Sequence, residues 1–300
     1  MVQKTLKKSY TFTGKGLHTG AFSRVTISPA PEGTGINFKR QSDGFLMPAL
    51  ASNVSSTARS TKLTLGDFSV QTVEHVLSAL YGVGVDNAVI TVDGPEMPIL
   101  DGSARPYTEA FLADGLQDQS APRQYIDLKE EIYVSDEKSG SWIRITPADK
   151  PSFDLTIDFG SKVLGIQTAS YDESVDYASQ IAVCRTFVFF HEIEYLFANN
   201  LIKGGDVDNA IVVVEHPVTE EQVDNIAAKL GKEKISVNSD GYLTNLSLYF
   251  PNECGRHKLL DLIGDISLAG VRVNARITGY KPGHGINTRA AALILQATDK

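Results

Sequence analysis

The sequence predicts an α+β protein of two similar halves, each a sheet with helices on one face, so that the helices are buried between two sheets. Three observations predict it. The first third alternates polar and apolar residues in the manner of strands and then turns helical at "QTVEHVLSALYG". From about residue 123 the plan repeats, strands first and helices after. A short internal echo links the halves: "EHVLSALYGVGVDNAVIT" and "RHKLLDLIGDISLAGVRVNARIT" both run from His through a leucine-rich helix and Gly to "NAxIT". Self-similarity of this kind is a sign of duplication.

In order along the chain, "SYTFTG", "SRVTISPAPEGTGINFKR" and "STKLTLGDFSV" read as strands separated by Gly, Pro and Asn turns. The helix containing His75 follows, then a strand "NAVITV", a loop "DGPEMPILDGS" and a helix over "ARPYTEAFLADGL" with Ser103 as its expected N-cap. The polar stretch "QDQSAPRQ" reads as a linker and sets a boundary near residue 122, giving domains 1–122 and 123–300. In the second half, strands at "YIDLKEEIYV", "SWIRITPA" and "SFDLTIDF" precede helical patterns near 175–183 and 190–199. An insert of one strand and one helix is expected near 195–232. After it come the His257 helix, a strand "VRVNARITG" and a last helix beyond "KPGHGIN".

Composition narrows the function classes. Of 300 residues, 42% are hydrophobic and 21% charged, as in an ordinary globular protein. A net charge of -8 argues against general affinity for nucleic acid. Two cysteines are too few for a disulfide framework and suggest a reducing cytoplasm. The N-terminus, "MVQKTLKKSYTF", lacks a signal-peptide core, and no apolar run reaches the ~18 residues of a membrane span. The sequence leaves the oligomeric state open.

Chemistry gathers in "GRHKLLDLIGDISLAG", where His257, Asp261 and Asp265 recur at a spacing of four. On a helix these three drift only about 80° and form one polar stripe. Leu259, Leu262, Ile263 and Ile266 fall roughly 140–240° from His257, on the opposite face. Leu260 and Leu268 border the stripe, so it is not expected to be solvated. His257 and Asp261 suit a bidentate metal pair, and His75 from the equivalent helix would complete the three ligands that a catalytic metal needs. Glu74, beside His75, could then act as base on a water. "KPGHGIN" places His284 between glycines, where the backbone approaches a ligand closely. Taken singly, each histidine is more often a hydrogen-bonded core residue, the His/Asp pair also reads as a helix salt bridge, and "KPGHGIN" also reads as a turn.

Taken together, "GKGLHTG", "TVEHVLSAL", "EMPILDGS", "CRTF", "GRHKLLDLIGD" and "KPGHGIN" occur in the order and approximate spacing of one family. The chain resembles the UDP-3-O-acyl-N-acetylglucosamine deacetylases, zinc amidases of early lipid A synthesis, from about residue 3 to 297. The resemblance implies two β-α-α-β layers with helices between the sheets. It implies zinc ligands at His75, His257 and Asp261, with ferrous iron possible in the same site, and a general base at Glu74. It places the acid that protonates the leaving amine at His284 with Asp265 as partner, an oxyanion donor at Thr186, and a substrate contact at Lys258. His18 in "GKGLHTG" falls at a substrate-binding position, and Phe187, Phe189 and Ile193 fall on an acyl-chain passage. Some longer relatives continue into a hydroxyacyl-carrier-protein dehydratase domain, and this chain resembles the deacetylase part alone.

The implied reaction is hydrolysis of the 2-acetamido group of a UDP-linked 3-O-acylglucosamine, in the cytoplasm. Two other readings of the same ligands remain: a non-haem iron oxygenase using a two-His, one-carboxylate triad, and a non-catalytic metal or sugar-nucleotide binding module.

Overall fold

The computed structural model describes residues 1–198, 203–204, 208–229 and 235–298. The parts of the expected insert at 199–202, 205–207 and 230–234 lie outside the described residues. Among the described residues the protein is mixed α and β, with several sheets and seven α-helices.

The first half contains β1 (Val2–Leu6), β2 (Tyr10–Lys15), β3 (Phe22–Pro29), β4 (Ile36–Arg40), β5 (Leu46–Pro48), β6 (Val54–Ser56), β7 (Lys62–Leu65) and β8 (Phe68–Gln71). After these come α1 (Glu74–Val83), β9 (Ala88–Val92), α2 (Arg105–Asp114) and β10 (Leu116–Pro122). The second half contains β11 (Tyr125–Asp127), β12 (Ile132–Asp136), β13 (Ser141–Pro147), β14 (Ser152–Asp158), β15 (Ile166–Tyr171) and α3 (Tyr177–Gln180). Then follow β16 (Phe187–Phe189), α4 (Phe190–Ala198), β17 (Ile211–Val213), α5 (Glu220–Lys229), α6 (Glu253–Ile266), β18 (Arg272–Tyr280) and α7 (His284–Thr298).

The two main sheets share one topology. Their orders are β2-β3-β9-β4-β5 and β12-β13-β18-β14-β15, with β11 added beside β18. In each, the central strand follows the buried helix and pairs antiparallel on one side and parallel on the other. The register also matches: Ile90 of β9 faces Ile27 and Phe38, and Ile277 of β18 faces Ile145 and Phe153. All six side chains are buried in one core that includes both halves. The "NAxIT" echo is therefore the central strand of each sheet, held by equivalent neighbours.

Three sequence expectations change. The stretch read as a linker is not one: residues 116–122 form β10, which pairs antiparallel with β1. Its polar residues suit a two-stranded ribbon with solvent-facing positions. The chain still changes sheets immediately afterwards, because β11 joins β18. Ser103 is not the N-cap, a position that falls on Ala104, although Ser103 Oγ accepts a hydrogen bond from Arg105 N at 3.1 Å. The last helix begins at His284 itself, within "KPGHGIN" and not beyond it.

Helices α1 and α6 pack against each other, and α6 also lies on β14 and β15. Residues Glu74 to Tyr81 of α1 are all buried, and in α6 only Arg256 and Lys258 escape burial. The helices meet at Gly264, where a Cβ would lie 2.1 Å from the Glu74 carbonyl oxygen and 2.9 Å from its carbon. Only glycine permits so close an approach. Helix propensity alone would make Gly264→Ala stabilising by about 0.5–1 kcal/mol. Backbone atoms cannot rotate away, so we expect the reverse, a loss of about 1–3 kcal/mol in urea unfolding. A stabilised Gly264→Ala protein would contradict this packing.

Candidate active site

The polar stripe of α6 points at the first turn of α1. His75 Nε2 and His257 Nε2 lie 3.6 and 3.5 Å from Asp261 Oδ1, and the two rings stand edge to face with centroids 5.1 Å apart. All three residues are buried. His257 Nδ1 lies 3.0 Å from the Cys184 carbonyl, so Nδ1–H donates there and Nε2 is presented to the site. Among the described residues nothing hydrogen-bonds Asp261 Oδ1, although it is buried. Two imidazole nitrogens and an orphaned carboxylate oxygen thus converge within 4.8 Å of one another. The edge of a tetrahedral zinc site is ~3.4 Å, so the donors need little adjustment to hold such an ion.

Electrostatics point the same way. Glu74, Asp261 and Asp265 are all buried within this cluster. Against them stand Lys258, whose Nζ donates to Asp261 Oδ2 at 2.7 Å, and His284 beside Asp265, two positive charges for three carboxylates. Buried charge without compensation is costly, and a divalent cation would supply it. Burial pushes the Glu74 carboxyl above its ordinary range, only partly opposed by His284 and His75. Burial also lowers His257 to about 4, despite the Asp261 carboxylate, keeping its imidazole neutral as a ligand must be.

His284 behaves in the opposite way. Burial disfavours its charge, yet Asp265 and Glu74 together outweigh that and raise it to about 9. His284 Nδ1 donates to Asp265 Oδ2 at 2.9 Å, while Nε2 lies 3.9 Å from both Glu74 Oε1 and Asp261 Oδ2. Asp265 is fixed from two further sides, by Thr61 Oγ1 at 2.6 Å and Asn287 Nδ2 at 2.9 Å. Thr61 N also donates to Glu74 Oε2 at 3.0 Å, so one residue braces both carboxylates.

Not all the residues named from sequence join this cluster. Thr186 is two residues beyond the Cys184 carbonyl that orients His257, and its backbone is held by Gly102 and Ile211. Phe187 and Phe189 are half-buried on β16 and pack edge-on against Phe159. Ile193 is separate from them, buried in a small core of the insert with Phe190, Val212 and Val214. Lys258 does join the cluster, largely buried with its Nζ on Asp261. His18 sits in the 16–20 loop, with its backbone N–H donating to Glu96.

Several supports escaped sequence reasoning. Glu96, fully buried, accepts from His18 N, Thr19 N and Oγ1, and Thr72 Oγ1, tying the 16–20 loop to the entry of α1. Arg185 donates to Glu253 in a buried ion pair that fixes the Cys184 segment on the start of α6. Among the described residues, four non-glycine positions have positive φ: Arg59, Thr72, Leu100 and Lys281. They lie just before Thr61, before Glu74 and His75, before Gly102, and before His284. Strained backbone concentrates where the site is assembled.

Fold and site together define the class: a mixed α and β protein with a buried His/His/Asp group that could hold a metal ion, flanked by a carboxylate and a further histidine. A model of the UDP-3-O-acyl N-acetylglycosamine deacetylase family matches residues 3–235 and 226–296. The chain belongs to this family. It is 46% identical over 294 residues to the bifunctional enzyme LpxC/FabZ of Porphyromonas gingivalis, covering 97% of this chain and 64% of that one. It is 39% identical over 302 residues to the UDP-3-O-acyl-N-acetylglucosamine deacetylase of Methylococcus capsulatus, covering 99% and 91%. The similar enzyme of Pseudomonas entomophila is 39% identical over 303 residues, again 99% and 91%. The chain thus spans a little under two thirds of the bifunctional relatives it matches.

Replacing His257 or Asp261 by Ala should reduce divalent-metal affinity sharply, by about tenfold or more, because among the described residues the group has three donors and no fourth to compensate. Metal analysis of each variant after dialysis measures this, and full retention in both would refute the ligand set.

Proposed function

We propose that the protein hydrolyses the N-acetyl group of UDP-3-O-(3-hydroxyacyl)-N-acetylglucosamine, releasing acetate and leaving the free 2-amine, as a cytoplasmic step of lipid A biosynthesis. One observation carries this reading: Glu74 and the His284–Asp265 pair border the same three metal donors, so a base and an acid face one reacting centre. The family and the names of the relatives supply the substrate. The same reading takes the fold as two duplicated β-α-α-β domains, 1–122 and 123–300, enclosing their helices.

His75, His257 and Asp261 would hold the ion, zinc by preference, with ferrous iron suited to the same donors. When bound, the ion supplies Lewis-acid polarisation of the amide carbonyl and acidifies a neighbouring water. Glu74 removes the water's proton, its Oε2 held by Thr61 while Oε1 faces His284. The Thr186 hydroxyl donates to the developing oxyanion. His284, charged on Nε2 and anchored through Nδ1 to Asp265, gives its proton to the departing amine. Lys258 steadies Asp261 and adds positive charge at this centre, leaving the diphosphate to cations nearer the surface. His18 contacts the substrate from the 16–20 loop. The acyl chain runs along Phe187 and Phe189, and Ile193 backs that wall from the insert core.

Oxygenase triads ordinarily sit in a double-sheet barrel, whereas these ligands stand on two packed helices. Among the described residues no helix is long and apolar enough to cross a membrane.

Incubation with the acylated UDP sugar should release acetate, and an unchanged substrate with the metal-loaded full chain would refute the activity. Glu74→Ala should keep its metal and lose turnover by roughly 10²–10⁴-fold. Loss of metal with turnover regained on reloading would make Glu74 a support.

The rate should follow a bell in pH. Glu74 must start deprotonated, so its raised pKa sets the acidic limb; His284 must start protonated, so its pKa of about 9 sets the alkaline limb. Asp265→Asn removes a charge that favours imidazolium, and should shift the alkaline limb down by about one unit or more with metal content unchanged. A limb that stays in place would assign that ionisation elsewhere.

A further inference from the structure

The chain has six histidines. Three belong to the deep site and His18 to the 16–20 loop. The remaining two, His191 and His216, lie far apart in sequence yet meet in the insert together with Glu215. We propose that His191, Glu215 and His216 form a second divalent-metal site, taking a zinc-class ion at the protein surface and clipping the start of α4 to the end of β17.

The geometry follows from a strand ladder. β16 and β17 pair in parallel, with Phe187 opposite Ile211 and Phe189 opposite Val213. Both strands therefore end at the same level, and the residues just beyond them, His191 on one side and Glu215 with His216 on the other, emerge side by side. His191 Nδ1 lies 3.6 Å from Glu215 Oε2, and the His191 and His216 rings are 6.1 Å apart between centroids. One donor atom from each residue falls within 4.8 Å of the others, as in the deep site.

Two features hold these donors in place without an ion. Phe189 stacks on His191 at 5.6 Å and 22°, limiting its ring. Phe190 and Ile193 flank His191, and Val214 precedes Glu215; all three are buried in the small insert core. His216 is exposed, so its ring can turn to close the remaining gap to a tetrahedral edge of ~3.4 Å, with the open position left to water. Two imidazoles and one carboxylate select a zinc-class ion over calcium or magnesium, which prefer oxygen. The insert core is small, and a clip across it would stiffen the segment that carries Phe187 and Phe189.

The test uses the full chain, with Zn²⁺ as the probe and metal analysis after gel filtration. Wild-type protein saturated with Zn²⁺ should retain two equivalents. His257→Ala should lose the deep equivalent and keep the second. His191→Ala and His216→Ala should each keep the deep equivalent, with affinity for the other reduced by about tenfold or more. Both positions are exposed, and near-UV circular dichroism checks that the fold is intact. A single wild-type equivalent that His257→Ala abolishes overturns the proposal. So does a second equivalent that survives unchanged in both surface variants.

Discussion

The contact between α6 and α1 at Gly264 controls everything around it. A side chain there would drive Cβ into the Glu74 carbonyl, so the helices could not approach as closely. Because they touch backbone to side-chain-free backbone, Glu74 and His75 come within reach of His257, Asp261 and Asp265. The polar stripe of α6 is buried against the first turn of α1, with Lys258 meeting Asp261 and Thr61, Asn287 and His284 meeting Asp265.

Around that contact the site separates the pKa values of groups that otherwise resemble one another. His257 and His284 are both held away from solvent. Burial leaves His257 neutral despite the Asp261 carboxylate, while Asp265 and Glu74 charge His284 against the same effect. The carboxylates divide similarly: against the effect of burial, Asp261 is held well below its ordinary range chiefly by Lys258, whereas burial raises Glu74. Burial acts on every member and sets the direction for His257 and Glu74, whereas neighbouring charges reverse it for His284 and Asp261. Separation of this kind lets one pocket contain both an acid and a base.

The matching sheet topologies show how such a pocket is built from a repeated plan. Each half contributes a sheet and a buried helix from the same place in its topology, and the site lies where those helices meet. The halves are not equal, because the second carries the extra segment from β16 to α5 with a small core of its own. That segment lies next to Thr186, so it can alter what surrounds the site without disturbing the helix pair.

The sequence by itself determined the features that depend on near neighbours. A spacing of four puts His257, Asp261 and Asp265 on one face of any helix, and alternation marks the longer strands. The "NAxIT" echo identifies the two central strands, and the joined motifs identify the family. Tertiary structure alone decided the pairings. Thr61 reaches Asp265 across 204 positions, the Cys184 carbonyl reaches His257 across 73, and Arg185 reaches Glu253 across 68. No local pattern encodes such partners, because they depend on how helices and loops pack and not on the period of either. The polar strand β10 was illegible for a related reason: its pairing with β1 rests on backbone hydrogen bonds, which any side chains permit, and not on an apolar face that would mark it in the sequence.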